Sequence, residues 1–216
     1  SSRLQLLLCT DDPDFDSVEA TSELADLFEK TLTNTAMLTT LKLYIPGNLM
    51  GNVEPNKYIL PFTDVVTESR WYQKARDLSG NFWISDIRTG QNDVNYWELH
   101  YCCRIPIPQK KTYGILVMSV SNDYLRNLIS NKNYQIYMSV NEEPVFLSSD
   151  RSYAGREFPL NLNQETADSR TGTFTLFEEK VVGSLSTVSL YHSSDKLHIF
   201  VADTNARNIT RHLLLI

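Results

Sequence analysis

The first candidate functional residues are acidic side chains near the N-terminus. Asp12, Asp14, Asp16 and Glu23 stand at positions 1, 3, 5 and 12 of a possible calcium-binding loop. Position 6 of such a loop should be Gly for its sharp turn, but the chain has Ser17 there. The same acids also precede a helix, where the helix dipole favours negative charge. We interpret them as helix-capping acids, with calcium binding as the alternative.

Other signatures of metal or catalytic chemistry are weak. His192 and His198 form a loose pair across a predicted turn, without the spacing of zinc ligands. The sequence contains no Gly-x-Ser-x-Gly elbow, phosphate-binding glycine loop, Cys-x-x-Cys pair or His-Glu-x-x-His motif. It therefore predicts no metal, no cofactor and no catalytic residues. A hydrolase with an unrecognised Ser/His/Asp set is the enzymatic alternative.

Aromatic residues are the third group of candidate functional residues. The three tryptophans lie within 27 positions, from Trp71 through Trp83 to Trp97. Tyr72 and Tyr101 extend the cluster. A shared core explains such a cluster, and so does a small-ligand pocket, because pockets combine aromatic walls with a few polar groups.

The composition and net charge limit the class of protein to which these residues belong. The chain has 216 residues, of which 42% are hydrophobic and 21% charged, as in a globular protein of one or two domains. The net charge is −6, and the only cationic cluster is Lys110-Lys111. A nucleic-acid partner is therefore not expected, because phosphate binding needs a basic surface.

Hydrophobic periodicity predicts the elements of a first unit. Helical spacing of Leu24, Phe28 and Leu32 predicts a helix over 17–33, and alternation predicts strands. The remaining predicted elements of this unit are a strand over 41–45, a short helix over 67–76, strands over 82–87, 96–105 and 113–120, and a helix from Asn122 or Asp123 to Ile129.

A second, smaller unit is predicted from about residue 131. It should contain a hairpin over 134–140 and 145–148, a polar segment over 150–170, strands over 173–177, 181–191 and 197–202, and a terminal helix capped by Thr204 or Asn205. Both units close with an apolar strand followed by a capped helix. This similarity suggests two copies of an α+β module, each an antiparallel sheet with helices on its faces.

The two ends of the sequence suggest that it is part of a longer protein. The sequence begins without Met and stops inside the apolar run His212–Ile216. We expect an excised fragment, in which Leu213–Ile216 either begin a deleted membrane span or belong to the core of a terminal helix.

Four runs of the sequence resemble the membrane-distal half of a double Cache domain, the extracellular sensor of bacterial transmembrane receptors and especially of sensor histidine kinases. They are residues 70–75, 80–86, 104–107 and 114–121. The resemblance implies an α+β fold with two PAS-like Cache antiparallel-sheet units in tandem. It divides the chain into an N-terminal helical segment (1–37), a distal unit with the ligand pocket (38–130), and a proximal unit with the exit helix (131–216).

The resemblance also implies where a ligand would bind. Amino-acid-binding members carry an Arg two residues before the Trp and an Asp on the later strand. Here those positions are Ser69 and Ser119, with Arg70 displaced by one, so an α-amino acid is not expected. The remaining aromatic and polar side chains suit a sugar, a small organic acid or a heterocycle, and the sequence does not choose among the three. The expected ligand-binding residues are Trp71 and Tyr72 for stacking, Trp83 as a wall, Asp86, His100, and Ser119 as the floor.

The implied function is extracytoplasmic sensing of a small molecule for a two-component histidine kinase in the cell membrane. The fragment itself should not be an enzyme. It should form a homodimer through its N-terminal helix and connect to the membrane through flanking spans. A secreted or surface adhesion module without a signalling role, or a domain that recognises a partner protein, is the alternative.

Overall fold

The computed structural model describes residues 17–50, 56–89, 95–107, 110–129, 133–160, 169–176 and 179–203. These residues form two five-stranded sheets with helices. The elements associated with the first sheet are α1 (Ser17–Asn34), β1 (Leu38–Ile45), β2 (Ile59–Pro61), α2 (Asp64–Glu68), α3 (Arg70–Asp77), β3 (Asn81–Thr89), β4 (Asn95–Ile107) and β5 (Thr112–Val120). Those that follow are α4 (Asn122–Ile129), β6 (Tyr134–Val140), β7 (Leu147–Ser148), β8 (Ser169–Leu176), β9 (Glu179–Ser189) and β10 (Lys196–Asp203).

The first sheet has the strand order β2-β1-β5-β4-β3. Strand β1 pairs in parallel with β2 and antiparallel with β5, which also pairs antiparallel with β4. Because side chains alternate along a strand, Leu41, Leu43 and Ile45 of β1 share one face. They pack with Leu24 and Phe28 of α1 in one core cluster. The residues between them point to the opposite face.

The second sheet has the corresponding order, β7-β6-β10-β9-β8, but its edge strand β7 pairs antiparallel with β6. Its core lies on one face, where Tyr137 of β6, Phe200 of β10 and Leu185 of β9 are neighbours in the strand register. The aromatic residues are in direct contact, since the ring centroids of Tyr137 and Phe200 are 6.2 Å apart.

Two compact units can be separated by their internal packing. The first contains Ser1–Phe82 and His100–Ser121, and the second contains Trp83–Leu99 and Asn122–Ile216. Most of β3 and the start of β4 thus group with the second sheet. The predicted division between a distal ligand-binding unit (38–130) and a proximal unit (131–216) stays a prediction.

The structure confirms the predicted fold class, and most elements lie where the periodicity places them. The helix predicted over 67–76 differs, because the chain forms α2 and α3 with a break at Ser69, which is extended (φ −64°, ψ 146°). Its hydroxyl donates to the carbonyl of Val66 and accepts from the N–H of Tyr72. Such a bond caps a new helix start, so the two helices meet at this serine.

Several sequence predictions lie outside the described residues. These are the acids Asp12, Asp14 and Asp16, the capping residues Thr204 and Asn205, and the apolar run Leu213–Ile216. Glu23, the fourth acid of the calcium pattern, is exposed on α1. No helix in the described ranges is long and apolar enough to cross a membrane.

Candidate functional site

Helix α3 holds the tryptophan that the sequence singles out. With Ser69 fixing its start, Trp71 and Ala75, four residues apart, lie on one side of the helix and are buried. Trp71 is 8% exposed, and its ring centroid lies 5.0 Å from that of Tyr44 on β1. Tyr44 points away from the α1 core. Helix α3 therefore lies against the opposite face of the first sheet, which we call the α3 face.

Arg104 of β4 fixes the other end of α3. Its guanidinium donates to the carbonyls of Ala75, at 3.2 Å, and Leu78, at 2.8 Å. These are among the carbonyls that a helix end leaves unsatisfied. The same guanidinium carbon lies 3.8 Å from the ring centroid of Tyr113 on β5, in cation–π contact. Arg104 therefore anchors the helix that carries Trp71.

Tyr72 belongs to an aromatic group beside this anchor. Its ring centroid lies 5.1 Å from that of Phe62, and Phe62 lies 6.5 Å from Tyr113. Burial raises the pKa of the Tyr113 hydroxyl, with a further increase from Tyr72 that outweighs the lowering by Arg104. Tyr72 is thus packed among aromatic rings, and its contact with a ligand stays a prediction.

Three polar side chains on the α3 face form a row across the three central strands, near the start of β1 and the end of β5, which we call the polar row. Thr40 of β1 and His100 of β4 are both register partners of Ser119 of β5. The hydroxyl of Thr40 donates to Ser119 Oγ at 2.7 Å, and His100 Nδ1 lies 3.0 Å from the same oxygen. Ser119 is 2% exposed and His100 is 7% exposed. The structure therefore brings together His100 and Ser119, both named from the sequence.

The hydrogen bonds of the polar row are compatible with one arrangement of its protons. Ser119 Oγ accepts from Thr40, so its own proton can be donated to His100 Nδ1. A neutral imidazole that accepts at Nδ1 carries its proton on Nε2.

A lysine missed in the sequence analysis lies one step along the same face. Lys42 of β1 is the register partner of Val117, which also pairs with Cys102. Val117 and Cys102 are buried and Lys42 is half-buried, so this part of the face is covered. The signal was available in the sequence, since Lys42 lies between Leu41 and Leu43 and must point away from their core. The same alternation places Thr40 on this face, and Thr40 was also missing from the residues predicted from the sequence.

Trp83 and Asp86 of β3 belong to the second compact unit. The backbone N–H of Trp83 donates to the carboxylate of Asp195 at 2.6 Å, and its indole N–H donates to the carbonyl of Tyr191 at 3.4 Å. Asp195 also accepts from Asn141 at 2.8 Å. Asp86 accepts from the N–H of Ile87. The structure does not group these two residues with Trp71 or the polar row, and their ligand contacts stay predictions.

No family model matches the chain, and no curated protein matches its sequence. Solved structures do match. The periplasmic sensory domain of the Campylobacter jejuni chemoreceptor Tlp1 aligns with a TM-score of 0.64 at 10% identity, over 94% of this chain and 84% of that one. The extracellular domain of rpHK1S-Z16, a protein assigned as a histidine kinase, aligns at 0.57 and 10%, over 86% and 79%.

A third match is the ligand-binding domain of the Pseudomonas fluorescens chemoreceptor CtaA, solved in complex with L-alanine. It aligns with a TM-score of 0.57 at 12% identity, over 94% of this chain and 84% of that chain. At these identities the likeness establishes the fold. The chain has the fold of extracytoplasmic sensory domains of chemoreceptors and histidine kinases, which confirms the fold implied by the double Cache resemblance.

Proposed function

We propose that this chain is the extracytoplasmic sensor of a transmembrane receptor and that it binds a small molecule on the α3 face of the first sheet. The observation that carries the proposal is the polar row on the α3 face, the sheet face against which Trp71 packs. Its three side chains lie on a covered sheet face, and the aromatic pair of Trp71 and Tyr44 lies on the same face, four residues further along β1 from Thr40.

Physical chemistry supports a ligand at this place. Polar groups on a covered sheet face are unfavourable unless they have hydrogen-bond partners, and apolar residues would stabilise a plain core better. A few polar groups among aromatic and aliphatic walls are typical of small-ligand sites. The fold likeness to sensory domains supports the same assignment.

Helix α1 supplies a route from the ligand face to a receptor dimer. Leu24 and Phe28 are buried against β1, the strand that carries Thr40 and Tyr44, whereas Val18 and Leu27 of the same helix are 63% and 50% exposed. We propose that the exposed residues contact a second copy of the chain. A ligand that prefers one position of β1 then shifts α1, and couplings of this kind typically amount to about 1–3 kcal/mol.

The likeness to rpHK1S-Z16 supports a histidine kinase as the parent protein, anchored in the membrane by segments flanking this sensor. In this proposal the sensor binds and transmits, and the kinase region supplies the chemistry.

The pocket is tested by thermal-shift titration of the chain against sugars, organic acids, amino acids and nucleobases. A ligand at 100 times its Kd should add about 2.7 kcal/mol of stability. We expect Trp71→Leu to lose this shift because the aromatic wall is removed. Trp97→Leu, the same change at a half-buried tryptophan of the second compact unit, should keep it.

Both variants are first compared with the wild type by circular dichroism, so that lost binding is separated from lost folding. Unchanged affinity in Trp71→Leu, or equal losses in both variants, would overturn the assignment of the pocket to the α3 face.

A further inference from the structure

The strands at the edges of the two sheets differ in how their backbone is protected. An edge strand leaves every second N–H and C=O without a partner strand, and proteins usually block such edges with short strands, proline or charged side chains. The edge strands are β2 and β3 in the first sheet and β7 and β8 in the second. We propose that β8 is an interaction surface, which pairs antiparallel with β8 of a second copy of this chain.

Three of these edges are blocked. Strand β2 has only three residues and ends at Pro61, and β7 has only two residues. On β3, carboxylates accept from the backbone, since the N–H of Trp83 donates to Asp195 and the N–H of Ile87 donates to Asp86. Trp83 and Ile87 are four residues apart, so both N–H groups point to the same side of the strand. An additional strand would find these groups already occupied.

Strand β8 is longer and more open. It has eight residues and no proline, and within the described ranges β9 is its only partner strand. Every second side chain is exposed, uncharged and hydroxyl-bearing, and threonine favours strands. These four hydroxyl residues are Ser169, Thr171, Thr173 and Thr175.

The register of the β8–β9 hairpin identifies the open backbone groups. Leu176 pairs with Glu179, with two residues between them. A pair that closes so short a hairpin is hydrogen-bonded, and hydrogen-bonded pairs then alternate along the two strands. Arg170, Gly172 and Phe174 therefore bond to β9, whereas the four hydroxyl residues direct their N–H and C=O groups to the edge.

A second copy matches this edge by two-fold symmetry. Antiparallel pairing about Gly172 places Thr171 of one copy opposite Thr173 of the other, and threonine pairs across strands are favourable. It also places Arg170 opposite Phe174 of the second copy. Because the guanidinium carbon of Arg170 already lies 5.3 Å from the ring centroid of Phe174 in its own chain, a second ring extends this cation–π contact. The two Arg170 residues stay about 14 Å apart along the strands, so like charges do not meet.

The side chains of β8 favour a second copy over an unrelated peptide. In strand addition, backbone hydrogen bonds supply the affinity, and pockets for alternate side chains supply the specificity. Small hydroxyl side chains do not provide such pockets. A two-fold pair needs none, because the same surface is used on both copies.

The pairing should be weak in solution, since one pair of strands buries less than the roughly 1,000 Å² of a stable interface. Chains anchored in one membrane, as proposed above, meet at a high effective concentration, at which weak contacts suffice. The β8 contact then joins receptor dimers formed through α1 into larger assemblies.

Sedimentation equilibrium up to millimolar concentration tests the pairing. All proteins carry Leu27→Glu, so that the exposed side of α1 does not contribute. We expect self-association, which Thr173→Pro should weaken by about tenfold or more, because each copy loses an edge N–H and the ring obstructs the second strand. Since this N–H is not used between β8 and β9, the fold should tolerate proline there. Thr173→Val keeps the N–H and should associate like the parent.

A second pair of variants gives a readout if Thr173→Pro does not fold. Thr171→Lys combined with Thr173→Lys places like charges directly opposite one another across the edge and should also prevent pairing. Val182→Lys is the matched control, because Val182 is 46% exposed and is the register partner of Thr173 on β9, one strand away from the edge. It should leave the association unchanged.

Three results would overturn the inference. A chain that stays monomeric up to millimolar concentration has no pairing edge. Equal association of Thr173→Pro and Thr173→Val, or a loss in Val182→Lys as large as in the double lysine variant, assigns the contact to another surface. Slow hydrogen exchange of the edge amides in the monomer means that another segment of the same chain covers β8. Ligand binding on the α3 face does not depend on these outcomes.

Discussion

The two sheets have the same strand order but place their buried polar groups at opposite ends. Each carries a serine, a threonine and a histidine across its three central strands, and the two sets are Thr40, Ser119 and His100 in the first sheet and Ser139, Thr187 and His198 in the second. The first set lies near the start of β1 and the end of β5. The second lies near the end of β6 and the start of β10.

The hydrogen bonding of the two sets also differs. Ser119 is bonded to both neighbours, whereas in the second sheet the bond joins Thr187 to His198 at 3.0 Å. The hydroxyl of Ser139 is fully buried and has no hydrogen-bond partner in the part of the chain that the structure describes. The shared strand order therefore does not dictate where polar groups are buried or whether they are satisfied. Those properties come from individual residues, and a ligand site can be assigned to one sheet without implying one in the other.

The largest expected effect concerns glycines in the two sheets. A Cβ at Gly183 of β9 would lie 2.6 Å from the backbone oxygen of Val201 and 2.9 Å from the ring of Phe200. A Cβ at Gly114 of β5 would lie 3.1 Å from the backbone oxygen of Tyr44. Overpacking in a core typically costs about 1–3 kcal/mol, and a paired backbone oxygen cannot move aside easily. We expect Gly183→Ala to destabilise the chain by about 3 kcal/mol and Gly114→Ala by about 1 kcal/mol.

Urea unfolding followed by circular dichroism measures both glycine variants. Equal losses of stability would show that the second sheet has no tighter strand approach than the first, and a larger loss for Gly114→Ala would reverse the comparison.

The next prediction concerns one buried serine in each sheet, whose hydroxyl should affect the free energy of unfolding differently in the two sheets. Ser119→Ala removes the hydroxyl that joins Thr40 to His100 and leaves both partners buried or half-buried, which should cost about 1–3 kcal/mol. Ser139→Ala removes an unsatisfied buried hydroxyl and should be neutral or stabilising by up to about 1 kcal/mol.

Each serine variant lacks one oxygen atom of the wild type. The change in its free energy of unfolding, measured with urea, therefore reports on the hydrogen bonds of that hydroxyl. A substantial loss of stability in Ser139→Ala would mean that its hydroxyl has a partner in solution, such as an internal water. The two polar sets would then be alike.

Local signals made much of the fold predictable. Alternation of Leu41, Leu43 and Ile45 with polar neighbours gave β1, and helical spacing gave α1, because both patterns arise from burial of one face. The break at Ser69 was missed since a serine inside a helical pattern and a serine that caps a new helix look alike in the sequence. Its capping bonds exist only once the two helices turn.

The candidate site was less predictable because it depends on strand register. The same alternation that gave β1 also places Thr40 and Lys42 opposite its core, but it does not say which residues of another strand they meet. Thr40 meets Ser119 from 79 positions away. The backbone N–H of Trp83 donates to Asp195, 112 positions later, a pairing that the sequence does not indicate, and the expected place of Trp83 in the ligand wall stays a prediction. Such pairings follow from tertiary structure, which composition and spacing do not reveal.

The smallest expected effect is a pH dependence in the second sheet. Burial lowers the pKa of His198 from its ordinary value of 6.5, and nearby Lys196 lowers it further, against a weaker opposing effect of Glu142. The imidazole lies beside Phe158, with ring centroids 6.2 Å apart. Because the folded state disfavours the charged form, the unfolded chain takes up the proton first as the pH falls.

Stability from His198 is therefore fully present above pH 6.5 and is lost as the pH falls from 6.5 through the lower pKa of the folded state. Urea unfolding at pH 7.5, 6.5 and 5.5 measures this loss, and His198→Gln, which does not titrate, should remove part of the wild-type slope. Identical slopes in both proteins would mean that the imidazole is hydrated and titrates alike in the folded and unfolded states. The second sheet would then be open to water at its polar end, whereas Ser139 and His198 together indicate that this end is closed.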